Sequence, residues 1–151
     1  GNWDIHAVNG HLYDDARARL PVFDQAVSAL VDDIYQRGLD QKVMVIVPGA
    51  FGRMPCENPQ KGTRSGILQP GRDHYPAAMS VLDAGSGMQT GQVIGSTTAK
   101  GERPKDRALD PNDLLATVYQ HLGIDFRQMT VDTSGRPVPL IPHGTPIREL
   151  L

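Results

Sequence analysis

The chain has 151 residues, enough for one domain with a real core and too few for two comfortable ones. Its composition, 39% hydrophobic and 21% charged, is ordinary folded material, and a net charge of −2 removes the electrostatic case for nucleic acid or an anionic membrane as the main partner. The single cysteine, Cys56, excludes an internal disulfide or a cysteine-based zinc cluster, and no stretch of these residues reads as a membrane span or a signal peptide.

In chain order, residues 1–19 read as loop and short irregular helix, with a polar cluster at Asp14, Asp15 and Arg17. Leu20-Pro21 opens a helix, because proline in a first turn loses no hydrogen bond there. Phe23, Val27, Leu30, Val31 and Ile34 recur at three- and four-residue steps and make one apolar face, and Gly38 supplies the left-handed stop. Residues 43–47, Val-Met-Val-Ile-Val, form a continuous apolar run of the kind buried on both faces in a parallel sheet. Ligands in such sheets bind beyond the strand ends, where residues 49–53 fall.

No regular element is expected from residue 52 to about 76, a long loop carrying Arg53, Lys61, Arg64 and Arg72. Residues 78–82 are a second buried-strand candidate, and residues 92–95 a short third. Residues 97–107 read as a charged loop. Asp110-Pro111-Asn112-Asp113 is a helix start with Asp110 as N-cap, and Gly123 ends that helix. The tail beyond is rich in Pro and Gly, with a last turn at residues 147–151.

Two short pairings carry the chemistry. Asp73-His74, between Gly71-Arg72 and Tyr75-Pro76, joins carboxylate to imidazole, a usual ligand combination for a divalent ion. The plainer alternative makes Asp73 a turn cap and His74 a surface residue. In Asp4-x-His6, alternation in an extended segment turns both side chains to one face, with Trp3 and Ile5 facing the core. Arg53 suits a two-pronged grip on phosphate, sulfate or carboxylate, or an ordinary ion pair. Cys56 has no base beside it, and His11, His121 and His143 lack a supporting context.

The order of motifs resembles one family throughout: Trp3-Asp4-x-His6, Gly49-x-Phe51-Gly52-Arg53, Gly71-Arg72-Asp73-His74-Tyr75-Pro76, Val93-Ile94-Gly95 and Pro111-x-Asp113-Leu114. It is a bacterial, sulfatase-like family of the alkaline phosphatase superfamily, and all 151 residues resemble the C-terminal portion of a typical member. The resemblance implies an α/β fold, a three-layer α/β/α sandwich, of which this chain is a single domain or an incomplete C-terminal part. It implies a metal-dependent hydrolase acting on a phosphate or sulfate ester, small or polymeric. Asp4, His6, Asp73 and His74 would hold zinc, calcium, magnesium or manganese, and Arg53 and Arg72 would hold the ester's anionic oxygens or brace the ligands. The nucleophile would precede Gly1, the protein would be exported or periplasmic, and open sheet edges would be free to pair with another chain. Ala50 stands where that family has an acidic residue, which favours the alternative of a degenerate, non-catalytic member that binds a ligand or partner.

Overall fold

In the computed structural model, which describes residues 3–151, the first regular element is α1 (Leu12–Gln36). It begins at Leu12, not at Leu20. His11 is the N-cap, its ring accepting from the Asp14 N–H, and Asp14 and Asp15 lie in the first turn, where the positive helix end favours them. Pro21 is therefore interior, where its missing N–H leaves the Arg17 carbonyl without its usual donor. The helix ends as expected, with Gly38 at φ +65°. Of its apolar face, Ile34 is buried and Val27 and Val31 half-buried, whereas Phe23 and Leu30 are 41% and 50% exposed.

Beyond α1 come β1 (Met44–Pro48), β2 (Gly52–Arg53), β3 (Gln60–Lys61), β4 (Leu68–Gln69), β5 (His74–Tyr75) and β6 (Val81–Gly85). Then follow β7 (Ser96–Thr97), β8 (Pro104–Asp106), α2 (Pro111–His121), β9 (Met129–Val131), β10 (Pro137–Pro139) and a 3-10 turn, Arg148–Leu150. The strands join only in pairs: β1 with β6, β2 with β5, β3 with β4, β7 with β8, and β9 with β10.

These pairs correct the three-layer α/β/α sandwich. β1 and β6 run antiparallel, with Ile46 opposite Asp83, and no parallel sheet with helices on both faces forms among the described residues. A parallel neighbour needs a crossover of a dozen or more residues, usually helical. Here the chain between β1 and β6 folds into two short antiparallel pairs instead, and β6 returns beside β1 in the opposite direction. An apolar run reports burial, not strand direction. Even that burial is partial, since residues 44–47 are only half-covered.

The second strand lies at 81–85, three residues beyond the expected start at 78. No strand forms at 92–95, where Gly91 and Gly95 take left-handed φ of +77° and +83° and Val93 is 94% exposed. The tail contains a hairpin that composition did not suggest. Asp132 Oδ1 accepts from the Ser134 and Arg136 N–H groups and folds the turn between β9 and β10.

The chain divides into two units, one of the residues up to Gly87 with Thr97–Pro104, the other of Met88–Ser96 with Lys105–Leu151. In the first, Ala7, Ile34 and Ala84 are buried. In the second, Ala116 and Thr117 of α2 are buried together with Ile141, Ile147 and Leu150. The helix start is the one expected, completed as a capping box. Asp110 Oδ1 accepts from the Asn112 and Asp113 N–H groups, and Asp113 Oδ2 accepts from the Asp110 N–H at 3.0 Å. Asp110→Ala removes this cap and should lower stability by about 1 kcal/mol, read as a shift of the urea midpoint at unchanged slope. No helix among the described residues is long and apolar enough to cross a membrane.

Candidate metal centre

Two segments of the first unit build the site. The N-terminal one is tied down by Trp3, whose ring meets Phe23 of α1 edge-on at 5.6 Å while staying 56% exposed, so Trp3 is not core. The second segment runs through β2 and β5, whose register sets Arg53 opposite His74. This pairing replaces the featureless loop expected between residues 52 and 76, and it places His74.

The segments are laced together by one side-chain and two backbone donors. Gln69 Nε2 donates to the Ala7 carbonyl at 2.5 Å, the Leu12 N–H to the Pro70 carbonyl at 3.1 Å, and the Arg72 N–H to the Ile5 carbonyl at 3.4 Å. Gly71 is buried against Ala7 so closely that a Cβ on it would fall 2.0 Å from the Ala7 nitrogen.

Three donor atoms meet on one side of this crossing. Asp4 Oδ1 lies 2.9 Å from His6 Nε2 and 2.7 Å from His74 Nε2, and the two Nε2 atoms are 3.1 Å apart. Three donors about 2.0 Å from one tetrahedral ion would stand about 3.3 Å apart, so the triangle is of the right order. His6 is the more covered, with 22% of its side chain exposed, whereas Asp4 and His74 keep 43% and 45% open to solvent. Phe51 covers one face of His74, ring centroids 4.0 Å apart.

Asp73 stands one step behind. Its Oδ1 is 2.5 Å from His6 Nδ1, on the far side of the ring from the triangle, and its Oδ2 accepts from Asn58 Nδ2. Arg53 reaches Asp4 Oδ1 with Nη2 at 2.5 Å and also donates to the Trp3 and Arg72 carbonyls. Arg72 donates to the Met54 and Arg53 carbonyls. Of the six residues picked from sequence, three thus converge on a point and three support them. Asn58 was missed, since a lone Asn in a loop gives no local sign of the carboxylate it will meet.

The electrostatics keep both carboxyl groups ionised. The His74 hydrogen bond, and after it the Arg53 guanidinium, hold the Asp4 carboxyl well below the usual carboxylate range. The His6 hydrogen bond, working against burial and helped by Asn58, lowers that of Asp73. Both are acceptor-only at neutral pH. An ionised carboxylate has no hydrogen to offer, so each Nε2 near Asp4 Oδ1 needs either its own proton or a shared cation. Protons on both would set two N–H groups side by side at 3.1 Å, a conflict that a single cation between the three atoms removes.

Elsewhere the histidines have structural partners: His11 caps α1, and His143 Nε2 meets Asp110 Oδ2 at 3.1 Å. Cys56 is exposed and free.

Compared with known proteins, residues 1–151 match a family model described as Protein of unknown function (DUF1501). No curated protein and no solved structure matches the chain. These findings correct the resemblance to sulfatase-like proteins of the alkaline phosphatase superfamily. The matching family spans the whole chain, and nothing links it to that superfamily.

Proposed function

The chain belongs to the DUF1501 family of proteins of unknown function, and for it we propose a metal-centred hydrolytic role on a phosphate or sulfate ester. The observation that supports it is the meeting of Asp4 Oδ1, His6 Nε2 and His74 Nε2 within 3.1 Å of one another. Two imidazoles and one carboxylate with an open side are the donor set of many hydrolytic zinc sites. The imidazoles favour zinc over manganese, calcium or magnesium, which prefer oxygen-rich surroundings. A divalent ion there would polarise an ester oxygen and acidify water.

This chain's own residues do the rest. Asp4 would offset the ion's charge, Arg53, itself donating to the Trp3 carbonyl, keeps that carboxylate in place, and Phe51 packs against the His74 ring. One observation favours a second reading, a centre that binds without catalysing. The guanidinium groups of Arg53 and Arg72 already donate to protein oxygens, which leaves neither wholly free to grip an ester.

Elemental analysis after zinc loading and dialysis tests the first claim, with about one equivalent per chain expected of a single site. Retention below a tenth of an equivalent for zinc, manganese, calcium and magnesium alike would end the metal reading. Turnover of nitrophenyl phosphate or nitrophenyl sulfate by the loaded protein supports hydrolysis, and metal retention without turnover selects the binding reading.

A further inference from the structure

We propose that Asp73, clamped by Asn58, is a positioning residue that holds the His6 ring in its Nδ1–H tautomer and so aims the Nε2 lone pair at the cation. The inference deepens the metal reading above and rests on it. It also separates Asp73 from the ligands among which the sequence had grouped it.

The geometry keeps Asp73 outside the group of donor atoms that meet, which are those of Asp4, His6 and His74. Oδ1 is engaged by His6 Nδ1 at 2.5 Å and Oδ2 by the Asn58 amide. The Asn58 side chain can face a carboxylate only with its NH2 group, because the opposite orientation would oppose two acceptors. That leaves Asn58 Oδ1 buried without a partner, a cost accepted to keep the amide on Asp73. The backbone secures both residues: the Met54 N–H donates to the Asp73 carbonyl and the Asn58 N–H to the Gly71 carbonyl, each at 3.0 Å.

A carboxylate facing an imidazole nitrogen at 2.5 Å accepts from it, which places the hydrogen of this contact on Nδ1. In a neutral imidazole the other nitrogen is then a lone pair, and here it is the atom 2.9 Å from Asp4 and 3.1 Å from His74. A free imidazole samples both tautomers and rotates, and only one arrangement presents Nε2 to the centre. Such outer carboxylates typically contribute about 10- to 100-fold to metal affinity.

The test uses Asp73→Asn, which keeps an acceptor oxygen, and Asp73→Ala, which removes it. Zinc affinity by chelator competition should fall in the order wild type, Asn, Ala, reaching about 10- to 100-fold for Ala. The X-ray absorption spectrum of bound zinc should keep the same imidazole and oxygen donors in both variants. Nitrogen-15 spectra of the zinc-free protein in alkaline buffer should show more Nδ1–H on the His6 ring in the wild type than in Asp73→Ala, where Asp4 is left as the ring's carboxylate partner and favours Nε2–H. Loss of an oxygen donor from the zinc spectrum would make Asp73 a ligand and overturn the inference. Unchanged tautomer and affinity in Asp73→Ala would overturn it too. A wild type that takes up no zinc defeats the metal reading alone, because the zinc-free tautomer still reports whether Asp73 fixes the ring.

Discussion

Asp4→Ala is expected to abolish zinc retention, with an affinity loss beyond the about 100-fold that marks the upper end for an outer partner. Asp4 is the hub of the centre. Its Oδ1 is the atom within hydrogen-bonding distance of His6 Nε2, His74 Nε2 and Arg53 Nη2 together, and it supplies the negative charge that two neutral imidazoles lack. Removing it leaves the guanidinium of Arg53 beside the two rings, so the site changes from cation-attracting to cation-repelling. Asp4→Asn separates shape from charge: it preserves the outline and should still lose most of the affinity. His74→Ala should also weaken zinc binding, but less than Asp4→Ala, because it removes a donor without adding repulsion. Since Asp4 and His74 keep nearly half their side-chain surface exposed, neither change should unfold the protein, and circular dichroism should match the wild type. Zinc bound by Asp4→Ala within tenfold of the wild type would put the centre elsewhere.

What was legible in the sequence was what is decided locally. Asp110, Pro111 and Asp113 specify a helix start within four residues, and Gly38 and Gly123 adopt the left-handed stops that their place after a helix requires. The start of α1 was misread because His11 is not among the usual capping residues, while Pro21 imitates a first-turn proline. The fold class failed for a non-local reason. Residues 43–47 announce burial, but the direction of the partner strand depends on how the next thirty-odd residues fold back, and those residues carry little periodicity. The site divides in the same way. Asp4-x-His6 and Asp73-His74 were visible as pairs of metal-binding residue types. That His74 joins the triangle while Asp73 turns to the back of His6 follows from the β2–β5 register and from Asn58, neither of which is written near them.

Gly71→Ala is the second large effect, acting on stability and on the centre together. The added methyl would lie 2.0 Å from the Ala7 nitrogen, 2.7 Å from its Cα and 2.8 Å from its Cβ, two of these being backbone atoms that no side-chain rotation can clear. The two segments would have to part, and the Arg72 to Ile5 hydrogen bond crosses that same seam. Overpacking of this kind costs about 1–3 kcal/mol, seen as a lower thermal midpoint. Because residues 4–6 and 73–74 lie on opposite sides of the seam, the displacement should also widen the triangle and weaken zinc binding. Gly66→Ala is the control. Gly66 has φ +68° with nothing within 4 Å of the absent Cβ, so alanine there meets backbone strain of roughly 1–2 kcal/mol but no clash. It should lower the midpoint and leave zinc affinity untouched. At one fixed free zinc concentration the midpoint of the wild type and of Gly66→Ala should rise by similar amounts, since the stabilisation grows with the logarithm of affinity, and that of Gly71→Ala by less. An equal zinc-induced rise in all three would mean that the seam at Gly71 supports the fold without setting the spacing of the centre.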